Sequence, residues 1–185
     1  MIDLFEVARE LQTYCDQQNW RSCFIGGLAV QRWGEPRVTR DVDLALLAGF
    51  GNEVPFVDIL LAKYQGRVSD SRAFALRNRV VLLRTSTGVG IDISLAALPF
   101  EERLIDRSTK FSFGGGIEIR TCSAEDLIVL KLFALRPMDI HDAEGVAIRN
   151  KSHLDWEYVQ QQLRPLAEVK ADPAILENLA RLRAL

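Results

Sequence analysis

The chain of 185 residues is 48% hydrophobic and 26% charged, the make-up of a water-soluble globular protein with one good core and at most a small helical appendage. Its 23 Lys and Arg against 25 Asp and Glu leave a formal charge of -2, so no global positive field holds a nucleic acid backbone and any such contact must be local. Its longest apolar stretches, such as Leu127 to Leu135, are broken by Lys131 and fall short of the roughly 18 to 20 residues that span a bilayer. Asp3 and Glu6 stand where a secretory signal would carry a basic segment ahead of an apolar run, so a cytoplasmic protein is expected. Cys15, Cys23 and Cys122 are odd in number and contain no Cys-x-x-Cys pair, which fits small apolar fillers better than a disulfide framework or a zinc site.

Leu4, Ala8, Leu11 and Cys15 recur at helical spacing behind Asp3 as a cap, predicting a helix over 3–18. Cys23 to Ile25 reads as a buried strand stopped by Gly26-Gly27, from which a short helix, Leu28 to Trp33, opens. After the break at Gly34 to Pro36, a strand is expected from Arg37 to Leu47, then a helix from Val54 to Tyr64. Arg79 to Thr85 and Gly90 to Leu95 form an expected hairpin, followed by a helix from Pro99 to Arg107. A second hairpin joins Lys110 to Phe113 with Ile117 to Cys122 through Gly114-Gly115-Gly116. Ser123 and Asp126 resemble a capping box with Asp in place of Glu, and everything beyond is helical in character, with Asp155 and Asp172 as caps. The expected organisation is an α/β core over 1–122, a mixed twisted sheet flanked by helices, with a helical region over 123–185 packed on it.

The most informative stretch is Gly26-Gly27 followed, after 13 residues, by Asp41-Val42-Asp43. Two carboxylates one residue apart on a strand point to the same side, about 6.6 Å apart along it. Such a pair can grip a hard cation, and Mg²⁺ in particular keeps company with carboxylates and phosphate oxygens together. Glycines at a helix start let backbone N–H groups approach phosphate closely. Asp92, between Ile91 and Ile93 on another expected strand, turns its carboxylate away from the core side and suits a general base or a ligand of a second metal. A lone D-x-D is more often a solvated strand face; the combination of three features outweighs that reading.

This pattern resembles the DNA polymerase beta-like nucleotidyltransferase superfamily, over roughly residues 20 to 95. Within it, Gly26-Gly27-Leu28-Ala29-Val30 and Arg37-Val38-Thr39-Arg40-Asp41-Val42-Asp43-Leu44 are similar to AbiEii-type toxins and related small nucleotidyltransferases, with their R-x-T-x-D-h-D-h motif (h, apolar). Lys131 on a helix and Asp139-Ile140-His141-Asp142 are similar to two further elements of that family, although Met138 stands where a basic residue often does. The resemblance implies a nucleotidyltransferase fold and Mg²⁺- or Mn²⁺-dependent transfer of a nucleoside monophosphate from an NTP to a tRNA, protein or small-molecule acceptor. It further implies a toxin paired with an antitoxin protein. Asp41, Asp43 and Asp92 would be the catalytic and metal-binding residues. Gly26, Gly27, Arg37, Thr39, Arg40, Lys131 and Asp142 would bind nucleotide.

Beside that implication stand plainer readings. Lys131 either snorkels to the surface or aims its ammonium at phosphate. Arg37 and Arg40 either hold triphosphate or acceptor, or pair with Asp41 or Glu35. Arg67, Arg72, Arg77, Arg79 and Arg84 against a lone Asp70 make the only locally basic stretch, either a solvated strand face or a polynucleotide contact. His141-Asp142 lacks the upstream histidines of an HD phosphohydrolase, and neither a dinucleotide fingerprint nor a P-loop occurs. The rival functions are a non-catalytic nucleotide-binding or partner-binding module on the same fold and an antibiotic nucleotidyltransferase.

Overall fold

The computed structural model describes residues 4–185, so the cap expected at Asp3 lies outside the described residues. The chain divides into two compact units: one takes in the chain up to Leu28 with Val38–Cys122, the other Ala29–Arg37 with Ser123–Leu185.

The first unit contains α1 (Leu4–Gln17), β1 (Ser22–Phe24), the start of α2 (Gly26–Trp33), β2 (Asp41–Leu47), α3 (Glu53–Lys63), β3 (Gln65–Gly66), α4 (Ser71–Asn78), β4 (Val80–Arg84), β5 (Gly90–Ala96), α5 (Pro99–Asp106), β6 (Thr109–Ser112) and β7 (Glu118–Thr121). Its strands form one mixed sheet in the order β3-β4-β5-β2-β1-β7-β6. Both expected hairpins are present as antiparallel pairs, β4 with β5 and β6 with β7. Between them β2 runs parallel to β5 and β1 parallel to β7, while β1 and β2 pair antiparallel.

Strand alternation decides which face is core. Val42, Leu44 and Leu46 of β2, Ile91, Ile93 and Leu95 of β5, and Val81 and Leu83 of β4 are all at most 2% exposed and join one cluster. Of the expected stripe of α1, Ala8, Leu11 and Cys15 belong to the same cluster, with Val7 beside them and Leu4 packed against it, and so do Val57 and Leu60 of α3. Burying a Leu or Ile side chain contributes about 1.5–3 kcal/mol, so this face is what holds the sheet's register. The opposite face is free to be polar at the ends of β2 and β5. All three cysteines are free and buried, and burial pushes the Cys15 thiol up to about 11, far from a reactive thiolate.

Several boundaries differ from expectation for local reasons. The strand predicted from Arg37 begins only at Asp41, because residues 37–40 pair with no neighbouring strand. The helix predicted from Leu28 begins at Gly26 itself. The basic stretch is a strand face only at Arg84, the exposed end of β4: Asp70 caps α4, accepting from the Ala73 N–H at 3.0 Å, and puts Arg72 and Arg77 on that helix. Arg79 closes it in a left-handed conformation, φ 57°, and donates to the Leu95 and Gly49 carbonyls. Arg72 pairs with Asp58 and Arg79 with Glu53, so part of the stretch's charge is neutralised within the fold, while Arg77 and Arg84 stand exposed.

The second unit holds the remainder of α2 with α6 (Ala124–Ala134), α7 (Pro137–Asn150), α8 (Trp156–Lys170) and α9 (Ala174–Arg183). Ser123 caps α6 as expected, accepting from the Asp126 N–H at 3.1 Å. Its hydroxyl also donates to the Asp126 carboxylate at 2.8 Å, and Tyr158 donates to that carboxylate's other oxygen at 2.7 Å. Asp155 caps α8 through the Tyr158 N–H, and the Asp172 carboxylate accepts from Ala174 N–H at the start of α9. The segment 29–37 is tied to α7 by Asn150, which donates to the Trp33 carbonyl at 2.8 Å, and by Arg149 on the Gly34 carbonyl.

Inside this unit lies a buried charge cluster. The Lys131 ammonium, 8% exposed, sits 2.8 Å from both the Asp139 and the Asp142 carboxylates. Arg37 grips Asp142 through two parallel bonds of 2.7 and 2.8 Å, and Arg136 approaches Asp139 at 2.5 Å. Burial alone would raise both carboxyls. Bonds from Arg136 and Lys131 to Asp139, and from Arg37 and Lys131 to Asp142, outweigh it and hold both below the usual Asp value. A depressed carboxyl contributes stability above its unfolded value, near 3.9, that is lost as pH falls through the folded one. Removing one partner of such a cluster costs about 3–5 kcal/mol. Lys131→Met should therefore destabilise by that order at pH 7 in urea unfolding, with the gap to wild type narrowing below pH 4. An equal gap at both pH values would contradict a native state held by this cluster.

Candidate functional site

Parallel pairing of β2 with β5 sets Asp43 opposite Asp92 and Asp41 opposite Gly90. Paired residues in this register share a face, so Asp41, Asp43 and Asp92 stand together on the side away from Val42, Leu44, Ile91 and Ile93. The Asp41 and Asp92 side chains are 46% and 32% exposed, open enough to meet a ligand. Burial raises the Asp92 carboxyl, the Arg67 charge lowers it and Asp41 raises it again; the net direction is upward.

The glycines explain how close the backbone comes. Gly26 has φ +57°, and a Cβ there would overlap the Asp43 carboxylate. A Cβ on Gly27 would overlap the Thr39 hydroxyl, and one on Gly90 the Asp41 carboxylate. The Gly27 N–H, at the start of α2, points to Asp43 Oδ2 at 3.4 Å, while Ile25 N–H bonds the Asp43 carbonyl at 3.0 Å. Thr39 turns its hydroxyl back to the Asp41 carbonyl at 3.3 Å. Gly26, Gly27, Thr39, Asp41, Asp43 and Asp92 thus form one constellation, and Arg40 stands exposed one residue before Asp41.

Arg37, Lys131 and Asp142 form a separate group within the second unit, the buried cluster described above. Lys131 does not snorkel but lies buried against Asp139 and Asp142, and Arg37 grips Asp142.

One residue of the acidic face escaped the sequence reading. Arg67 follows β3, its N–H bonds the Leu82 carbonyl at 2.9 Å, and Leu82 is the β4 partner of Asp92. Its guanidinium meets the Asp92 carboxylate and lies 3.6 Å from Asp41 Oδ1. Among five arginines in that stretch nothing local singles it out. Only the register of β4 on β5 brings it to the acids.

The donor set suits a hard cation: oxygen ligands only, on two rigid strands, with glycine at each point where a Cβ would fill the cradle. Among the described residues no group of three or more His, Cys, Asp and Glu side chains converges as a ready metal cage. Mg²⁺ is commonly held by one or two carboxylates with substrate phosphates completing the shell, and Asp41 with Asp43 meets that need.

Two solved structures share the architecture. The crystal structure of an antigenic nucleotidyltransferase-like protein from Paracoccidioides brasiliensis aligns with 19% identity and a TM-score of 0.52, covering 96% of this chain and 92% of that one. The solution structure of the antibiotic-resistance factor ANT(2'')-Ia aligns with 18% identity and a TM-score of 0.58, covering 92% and 95%. No curated protein matches the chain in sequence. The model of the family described as "Nucleotidyltransferase of unknown function (DUF6036)" matches residues 1–172. With the acidic face, the glycine turn and a match over most of its length, the chain belongs to that nucleotidyltransferase family.

Proposed function

We propose that this protein transfers a nucleoside monophosphate from an NTP to a hydroxyl-type acceptor with release of pyrophosphate. The observation that carries the reading is the register that puts Asp41, Asp43 and Asp92 on one face beside the glycine start of α2. Asp41 and Asp43 with Asp92 would hold Mg²⁺ or Mn²⁺, whose charge would neutralise the triphosphate and favour departure of pyrophosphate. The N–H groups at Gly26 and Gly27 suit the β and γ phosphates, placed at the positive end of the helix. Asp92, raised by burial, suits the proton of the acceptor hydroxyl as its oxygen bonds the α-phosphorus and the bond to the bridging oxygen breaks. Fixing that in-line arrangement is most of what such an enzyme supplies.

Similarity of Arg37 to Leu44 to the AbiEii-type motif supports a toxin acting on tRNA or protein and held by an antitoxin. Likeness of fold to ANT(2'')-Ia keeps a small-molecule acceptor, an antibiotic, as the second reading. Arg37, Lys131 and Asp142, nucleotide binders by the resemblance, are engaged with one another in the second unit. The module reading has one observation behind it: Arg67 gives two of the three carboxylates a positive partner, so repulsion among them is no argument for a bound metal.

Transfer of label from α-³²P-NTP separates these. Wild type, given each of the four nucleotides with Mg²⁺ or Mn²⁺, should label an acceptor in cell-extract RNA, extract protein or a panel of antibiotics. Asp92→Asn should still bind metal-NTP while its turnover falls by roughly a hundredfold or more, the usual contribution of a general base. Labelling by wild type in none of these arms, despite NTP binding, would favour the module. An Asp92→Asn variant as fast as wild type would place the base elsewhere.

A further inference from the structure

We infer that the Arg67 guanidinium is the counter-cation of the acidic face and competes with the divalent metal for Asp41 and Asp92, so that this one side chain sets how tightly the site takes metal. The inference rests on the reading of that face as a metal-nucleotide site.

Arg67 is placed by a built loop. Gly66 lacks a Cβ where the Ser71 hydroxyl sits; that hydroxyl donates to the Val68 carbonyl at 2.7 Å, and Asp70 caps the helix that follows. The backbone N–H of Arg67 is fastened to Leu82 across the sheet. From this fixed point the side chain, 26% exposed, reaches both carboxylates. Gly90 leaves the room: a Cβ there would overlap Asp41 and lie 3.0 Å from Arg67 Nη1. The guanidinium reaches this position with its Nε buried and lacking a hydrogen-bond partner among the described residues. Its orientation therefore serves the two carboxylates at the expense of its own third nitrogen.

A guanidinium and a divalent cation on the same carboxylates repel each other and compete for the same negative charge and lone pairs. Metal entry at Asp41 and Asp92 then loosens the hold of Arg67, and the ion-pair free energy lost is subtracted from metal affinity. The arrangement keeps the acids compensated whenever metal is absent.

Mn²⁺ binding, followed by loss of the free-ion EPR signal, tests this without any turnover. Arg67→Gln should bind Mn²⁺ roughly fivefold tighter than wild type, the effect of losing a partly exposed competing pair, while Arg67→Lys, which keeps the charge, should stay nearer wild type. Equal or weaker binding by Arg67→Gln overturns the inference. If Arg67→Gln does not fold, wild type labelled with ¹⁵N-arginine decides: the Arg67 Nε–H signal, assigned by its absence in Arg67→Lys, should move with Mg²⁺ at the midpoint of metal binding. A signal unmoved at saturating Mg²⁺ overturns it too. Asp41→Asn with Asp43→Asn separates the levels: if that double variant loses the metal while Arg67 shows no effect, the site reading stands and only the role of Arg67 falls. Absence of Mn²⁺ binding by wild type would sink both.

Discussion

The parallel pairing of β2 with β5 is the constraint on which the site depends. Because side chains alternate along a strand, the same register that sends Val42, Leu44, Ile91 and Ile93 into the core sends Asp41, Asp43 and Asp92 to the other face. A slip of one residue would bury carboxylates and expose the apolar set, so the core's stability protects the chemistry. The acids are not placed by their own interactions. The hydrophobic face imposes the arrangement, and Arg67 offsets the repulsion at Asp41 and Asp92.

Close approach is the second requirement. Around the acids, three positions would collide with a neighbouring polar side chain if they carried a Cβ: Gly26 with Asp43, Gly27 with Thr39 and Gly90 with Asp41. The Gly26 collision is compounded by its left-handed backbone, which an L side chain rarely adopts. These glycines let a strand bearing carboxylates lie directly against the start of a helix. The electrostatic result is a negative patch beside the N–H end of a helix, which is the polarity a metal-bound polyphosphate presents in reverse.

Much of this was readable from the residues, because periodicity reports burial. The stripe of α1, the central strands, both hairpins and the Ser123 cap follow from spacing and turn chemistry. What spacing does not carry is the third dimension. Arg67 gains its place from Leu82 and Asp92, 15 and 25 residues onward, through two strand registers. Lys131 reads as an oddity in an apolar helix, yet its partners Asp139 and Asp142 lie beyond a turn at Leu135, and Arg37 comes from far earlier in the chain. The short helix α4 was hidden because its residues show no apolar periodicity and only Ala75 is buried. Its signal was the Asp70 cap, a single residue among arginines.

Ligand-induced stabilisation tests most directly whether the β2 and β5 carboxylates are a metal-nucleotide site. Melting temperature is measured for wild type and for Asp41→Asn with Asp43→Asn, with NTP alone and with NTP plus Mg²⁺. At ligand about a hundredfold above its Kd, linkage adds roughly 2.7 kcal/mol, a rise of several degrees for a chain of this size. The account predicts that rise in wild type and loss of its Mg²⁺-dependent part in the double variant. The same Mg²⁺-dependent rise in both proteins would contradict it.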